Sequence, residues 1–416
     1  MTKKENGRKR HMDIRITPSR LSGNVRVPPS KSDIHRKCIA AAFSGGARIN
    51  AGALCDDTRA TLGCLSAMGF ETGFENGVIT VGARDTGIET AVLDCGESGS
   101  TARFIIPAAA YFLKSAVITG SGRLPQRPFG ELCGALRARG TDISADRLPM
   151  TVSGGLHPGE YRLRGDVSSQ FLTGLLLALP ALGGPSVITL TTALESAPYV
   201  EMTLSVLERF GVGVVRDGDS FLVPPASYRP AGELTAEGDW SAAAFWFLAR
   251  SLGCDVTVSG LDSGSSQGDR RVVGLLEAIR ANTSELYADM TDIPDLLPVL
   301  SVAAAAAGGR TVFGGAGRLR LKESDRLACM RSNINALGGR ARETADGLVI
   351  DGTGGLDGGT VDGYGDHRIV MAFAIASAAA RGDIVIKGAQ AAGKSYEGFF
   401  EDFVALGGRM SVLADG

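Results

Sequence analysis

Residues 64–74 read CLSAMGFETGF: the end of an amphipathic helix, a glycine, then a short strand. The same arrangement returns as ALRARGTDISA (135–145), VLERFGVGVVR (206–216), NINALGGRARE (333–343) and FVALGGRMSV (403–412). A degenerate copy, LLEAIRANTSELY (275–287), carries Asn282 where the others carry glycine. Gly or Asn just past a helix end suits the left-handed conformation that turns the chain into a following strand. Gly69, Gly140, Gly211 and Asn282 follow one another at equal intervals; the step to Gly338 is shorter, and Gly407 nearly restores the interval. Any α/β protein places glycine after helices, so the equal spacing is what argues for a repeat. Units this long indicate stacked α/β modules, three to a domain, rather than a short-repeat solenoid. A chain of 416 residues also exceeds what one hydrophobic core usually serves, so two domains are expected.

Composition narrows the function. Hydrophobic residues make up 44% and charged residues 21%, ordinary for a soluble enzyme. Forty-three basic residues against 45 acidic ones give a formal net charge of −2, which speaks against a general nucleic-acid binder but leaves room for a local basic cleft. The longest apolar stretches, near 172–182 and 296–307, fall short of the ~20 residues of a membrane span. Seven scattered cysteines without a CxxC pair read as reduced thiols in a cytosolic protein. The four histidines share no metal-ligand spacing, so no zinc site is expected. The polar first ten residues read as a disordered tail before a first strand near Met12–Ile16, and not as a signal sequence.

Several segments place chemistry at helix starts. PPSKSDIHR (28–36) puts Lys31 and Ser32 at a helix N-terminus, where backbone N–H groups, a hydroxyl and an ammonium can converge on phosphate; a capped helix with a solvated lysine reads the same way. DCGESGSTAR (94–103) combines Gly96 and Gly99 with three hydroxyls, and is equally a Gly/Ser turn capping a helix. VSSQFL (167–172) and SAPY (196–199) are loops of modest specificity. The most informative stretches are RLRLKESDR (318–326) and GDHR (365–368). The alternating charges of the first, with Asp295 in DIPDLLPVL (292–300), indicate partly buried pairs where protons are moved, although such a run is more often a solvated face. A lone histidine such as His367 is expected to be a structural hydrogen-bonder rather than a ligand or base.

Taken in order, SKSDIHR, GESGSTAR, QRPFGEL, SSQFL, SAPYVEMT, EGDWSAAAFW, DIPDLLPVL, LKESDR, GDHR and GKSYEGFF resemble the 5-enolpyruvylshikimate-3-phosphate synthases. The resemblance runs from about Ile14 to about Gly408. It implies an α/β (α+β) fold of two similar domains, each of three βαβαββ units arranged as an inside-out α/β barrel. One domain would span residues 22–237 and the other 1–21 plus 238–416, with the active site in the cleft between them. The activity implied is transfer of enolpyruvyl from phosphoenolpyruvate to the 5-hydroxyl of shikimate-3-phosphate, by addition and elimination, in the shikimate pathway. Carried over, Lys31, Gly99, Arg127, Gln170, Arg326, Arg368 and Lys394 would hold phosphoenolpyruvate. Ser32, Arg36, Ser168, Ser169, Ser196, Tyr199, Asp295 and Lys322 would hold shikimate-3-phosphate, with Lys31 and Gln170 shared. Asp295 and Glu323, helped by Lys31, would handle protons. No metal or organic cofactor is expected, because the donor is already activated, and the family is usually monomeric.

Some positions depart from the family pattern. Glu97 stands where Asn is usual, and its charge is expected to weaken donor binding. Arg318 occupies a place where Asn often touches shikimate-3-phosphate, so that contact is not carried over. Ala197 replaces a usual basic residue. Two rivals are weighed. The sister transferase acting on UDP-N-acetylglucosamine carries a reactive Cys in a loop that here reads GSGRLPQRPF (120–129) and holds none; Cys133 lies beyond it. A non-catalytic phosphate- or RNA-binding relative should have lost Asp295, Glu323, Lys322 and Arg326, and all four are present.

Overall fold

The computed structural model describes residues 12–413, so the tail expected over the first ten residues lies outside the described residues. The repeat takes the form of one sheet drawn several times. In one copy, Thr90–Asp94 runs parallel to Ser115–Thr119, which pairs antiparallel with Met150–Ser153, and Asp142–Ile143 closes the outer edge. Glu160–Leu163 and Glu285–Asp289 begin sheets with the same strand order and directions. Two further four-stranded sheets have this order but recruit a strand from far away. Glu233–Thr235 joins Ala47–Asn50, and Ile14–Thr17 slots between Ile384–Lys387 and Arg409–Val412. The expected first strand therefore exists, beginning at Ile14.

The glycines behave as the repeat requires. Gly69, Gly140, Gly211, Gly338 and Gly407 all have positive φ, between 76° and 95°. Asn282 does not: its φ of −73° and ψ of 122° are extended, which corrects the expectation that it stands in for glycine. The sixth sheet has only two strands, Ser22–Arg26 and Asp255–Ser259, and lacks the hairpin of the others. After the helix Val272–Ala281 the chain passes straight into the first strand of the next sheet, so no left-handed turn is needed. The Asn282 amide instead donates to the Arg310 carbonyl at 2.7 Å and accepts from the Ser284 N–H at 3.0 Å. The missing hairpin also accounts for the short interval before Gly338.

Helices form the interior. Lys31–Ser44, Gly99–Phe112 and Ser169–Ala178 pack on one another in one half, and Trp240–Ser251, Leu297–Ala306 and His367–Ala376 in the other. Every residue of His367–Ala376 is buried, which explains why these helices are rich in Ala and apolar nearly all round rather than striped. Strands such as Glu160–Leu163 alternate exposed and buried residues, so the sheets turn one face to water and one to the helices. Two hydrophobic cores result. Val25 and Val27 belong to the second core, and Ser22–Arg26 pairs with Asp255–Ser259.

Residues 28–30 and 237–239 lie side by side. Ser30 N–H donates to the Glu237 carbonyl (2.7 Å), and Asp239 N–H to that of Pro28 (2.9 Å). A Cβ on Gly238 would stand 2.0 Å from the Gly260 carbonyl oxygen, so only glycine allows this approach.

Candidate active site

Helix starts from both halves meet in one cleft. Lys31 and Ser32, Gly99 and Ser100, and Ser168 to Gln170 come from the first half; Pro294 and Asp295, and His367 and Arg368, come from the second. Local capping fixes these ends. The Ser98 hydroxyl accepts from Thr101 N–H, Ser168 from Gln170 N–H, and the Asp366 carboxylate from Arg368 N–H. Each helix N-terminus brings unpaired N–H groups and partial positive charge, a ready setting for anions. Side chains reinforce it. Lys31, Arg103, Arg127, Arg318, Lys322, Arg326 and Arg368 line the cleft against only three carboxylates, Asp57, Asp295 and Glu323. A chain that is slightly acidic overall has thus concentrated cations here.

Arg326 is the hub. Its side chain is 1% exposed and bonds Asp366 (Nε, 2.8 Å), Asp295 (Nη1, 2.8 Å) and Glu323 (Nη2, 3.0 Å). Asp295 also receives Arg368 at 2.8 Å and the Tyr199 hydroxyl at 3.3 Å, while Lys322 stands 3.9 Å away. Arg127 reaches Glu323 at 3.4 Å. Burial alone would push both carboxyl groups up. The cations Arg368, Lys322 and Arg326 around Asp295, and Arg127 and Arg326 around Glu323, overcome it and hold both well below the usual carboxylate range. Burial dominates at Lys322, whose ammonium is lowered from 10.5 to about 8 despite Asp295. At Lys31 burial is outweighed by Asp57, 2.8 Å from Nζ, and the ammonium sits above its ordinary value.

Most of the expected site residues line this cleft, including Gly99, Gln170, Ser196 and Tyr199. A Cβ on Gly99 would lie 2.5 Å from guanidinium nitrogens of both Arg103 and Arg127, so glycine is what admits these two cations. Arg36 is different. Its guanidinium is buried on the Ser32 carbonyl (2.6 Å), the Tyr199 carbonyl (2.8 Å) and the Thr203 hydroxyl (2.9 Å), so it positions two cleft residues instead of facing the cleft. Lys394 sits at the rim, where Nζ meets Glu97 across the two halves at 2.6 Å and the Gly365 carbonyl at 2.7 Å.

His367 corrects its expectation. It lines the cleft, and neither ring nitrogen has a hydrogen-bond partner among the described residues. Burial, then Lys31 and Arg368, hold it well below its ordinary value, so the ring is neutral.

Reasoning from sequence missed Asp57 and Arg103 and set Arg318 aside, and all three line the cleft. Arg103 lies between the Phe129 and Phe171 rings (5.2 and 5.4 Å) and donates to the Gln170 side-chain oxygen at 2.9 Å. Its place inside GESGSTAR was the available signal. Asp57, in the plain CDDTRA, offered none.

Known proteins resemble this chain over nearly its whole length. A family model described as EPSP synthase (3-phosphoshikimate 1-carboxyvinyltransferase) matches residues 16–403. A 3-phosphoshikimate 1-carboxyvinyltransferase of Clostridium kluyveri is 39% identical, over 97% of this chain and 99% of that protein. One of Clostridium novyi is 37% identical, over 95% and 98%. Among solved structures, an EPSP synthase of Acinetobacter baumannii superimposes with a TM-score of 0.80 at 25% identity, over 97% of this chain and 100% of that one. The enolpyruvyl transferase NikO of Streptomyces tendae shares the fold, with a TM-score of 0.77 at 18% identity, over 98% and 100%.

Proposed function

The chain belongs to the EPSP synthase family, and on that premise we propose that its cleft joins phosphoenolpyruvate to shikimate-3-phosphate. The enzyme is a 3-phosphoshikimate 1-carboxyvinyltransferase of the shikimate pathway, serving aromatic amino-acid biosynthesis. The observation that carries the reading is the convergence of helix N-termini and seven cations around an ionised Asp295–Glu323 pair. Both substrates carry phosphate and carboxylate. Bringing them together is prohibitive unless such a cluster is assembled first.

In this reading, Ser168, Ser169, Ser196, Tyr199 and Lys322 hold the acceptor, while Lys31, Arg127, Arg326, Arg368 and Lys394 hold the donor. The acceptor 5-hydroxyl attacks C2 of phosphoenolpyruvate as a proton is added at C3. The C2–O bond to phosphate then breaks as the C3 proton is taken back, restoring the double bond. Asp295, bonded to Tyr199 and near Lys322, belongs to the acceptor side and takes the hydroxyl proton. Glu323, between Arg127 and Arg326, belongs to the donor side and removes the C3 proton. Lys31 lends the proton added at C3 and regains one from Glu323 after elimination, while the hydroxyl proton taken by Asp295 leaves with the phosphate, so the enzyme ends as it began. Arg36 fixes the Ser32 and Tyr199 backbone rather than touching a substrate.

The two-domain division we favour runs from about residue 28 to 237 for one half and takes in the rest for the other, acting as a monomer in the cytosol. UDP-N-acetylglucosamine is not favoured as acceptor, since the family model and the most similar relatives carry the shikimate-pathway name. Purified protein with phosphoenolpyruvate should release phosphate when shikimate-3-phosphate is added and not with UDP-N-acetylglucosamine. The opposite preference would overturn the reading.

A further inference from the structure

We propose that Arg318 is the cation that recognises the phosphate of the acceptor, delivered from the half of the molecule opposite the serine cluster. The inference rests on the acceptor assignment above and concerns the charge that this chain carries at a position where the family usually has an uncharged Asn.

Arg318 lies in the short turn Gly317–Leu321 of the second half and lines the cleft with a side chain only 11% exposed. Its Nη2 donates to the Ser196 hydroxyl at 2.8 Å and to the Thr291 carbonyl, and its Nε faces Glu195 at 2.9 Å. The remaining Nη1 carries no hydrogen bond among the described residues, so the guanidinium keeps donors for a ligand.

Ser196 itself is held in an unusual state. Its φ of 58° and ψ of 39° are left-handed, uncommon for a residue with a side chain and typical of functional sites. Cross-half bonds pin it there: Ser196 N–H donates to the Thr291 carbonyl at 3.1 Å, and Ala197 N–H to the Asp292 carboxylate at 3.0 Å. The conformation and the guanidinium on its hydroxyl are therefore one assembly.

A phosphate dianion needs charge as well as hydroxyls. The first half offers Ser168, Ser169 and Ser196 here, while its cleft arginines are engaged elsewhere, Arg103 with Gln170 and Arg127 with Glu323. Ala197 carries no charge, Arg36 is bound to carbonyls, and Lys31 is paired with Asp57. The charge must come from across the cleft. Lys322 stands 3.9 Å from Asp295, whereas Arg318, though its Nε faces Glu195, is the cation already seated on the serine hydroxyl. Acceptor phosphate bound there would bridge the two halves.

The test is steady-state phosphate release by Arg318→Gln and Arg318→Lys enzymes. Loss of a charged hydrogen bond should raise the KM for shikimate-3-phosphate roughly 10- to 100-fold in the Gln variant. The Lys variant, keeping charge but not the fork, should lose less. The KM for phosphoenolpyruvate should stay within about twofold. With shikimate, which lacks the phosphate, the substituted and unsubstituted enzymes should be equally poor. An unchanged KM for shikimate-3-phosphate, or an equal loss with shikimate or in the KM for the donor, would overturn the inference. If the Gln variant does not fold, the Lys variant decides by the same comparison. No shikimate-3-phosphate-dependent release by the unsubstituted enzyme would overturn the proposed function and this inference with it, whereas normal activity beside an unaffected variant removes only the inference.

Discussion

Replacing Glu97 by Gln should strengthen the enzyme's hold on phosphoenolpyruvate. Glu97 comes from the glycine loop of the first half and Lys394 from the second; their side-chain atoms meet at 2.6 Å, with the lysine 16% and the glutamate 40% exposed. If Lys394 serves the donor, the incoming anion must share or displace this partner. A fully exposed pair would be worth nearly nothing. One with its cation mostly buried falls near the upper end of the surface range, about 1 kcal/mol. Removing the competing charge while keeping the shape should lower the donor KM about fivefold. Turnover and the acceptor KM should barely move, because the pair stands at the rim. The Arg59–Glu397 pair, also between halves but 52% and 57% exposed, provides the control: Arg59→Gln should change neither KM. The assay is initial-rate phosphate release with phosphoenolpyruvate varied at saturating acceptor. A donor KM that rises in Glu97→Gln would mean the pair helps assemble the cleft and does not compete for its ligand. An unchanged KM would mean that Lys394 does not bind the donor.

Three further outcomes follow from the same geometry. Asp295→Asn should leave acceptor binding measurable by calorimetry but cut turnover about 10²- to 10⁴-fold, the usual reach of a positioned base; full activity would remove its role. Lys31→Met should weaken donor binding and turnover together, and unchanged donor kinetics would break the cleft assignment. Lys322, lowered to about 8 by burial, is a cation below that pH and neutral above it. The kcat/KM for shikimate-3-phosphate should therefore fall above pH ~8, and Lys322→Arg should move that limb upward, since kcat/KM reports groups of the free enzyme. The stability effect of Lys322 has the opposite sign. The unfolded chain keeps this proton up to its ordinary value of 10.5, so burying the cation costs stability below about 8, a cost relieved as pH rises between the two values.

What the sequence revealed and what it hid divide along a physical line. A left-handed glycine after a helix is a local requirement, so the repeat was legible in Gly69, Gly140, Gly211, Gly338 and Gly407, and failed only at Asn282, where the unit had lost the hairpin that needs the turn. Helix-start residues such as Lys31, Gly99 and Ser168 were legible for the same reason. Partnerships across hundreds of residues were not. Nothing near Lys394 announces Glu97, nothing near Ser196 announces Arg318, and Arg36 looks like a ligand-binding cation until the fold sets carbonyls around it. The topology explains why the motifs are so dispersed. Each half contributes the starts of some of its inner helices to the cleft, so neither lines it alone. Glu323 needs Arg127 from the other half, and Asp295 meets Tyr199 across the gap. Asp295 is kept ionised by Arg368, Lys322 and Arg326 of its own half, whereas Glu323 draws on Arg127 from across the cleft as well as on Arg326. The cleft is thus lined by residues as far apart in sequence as Lys31 and Arg368, drawn from both halves, so its charge cluster exists only where the two halves approach.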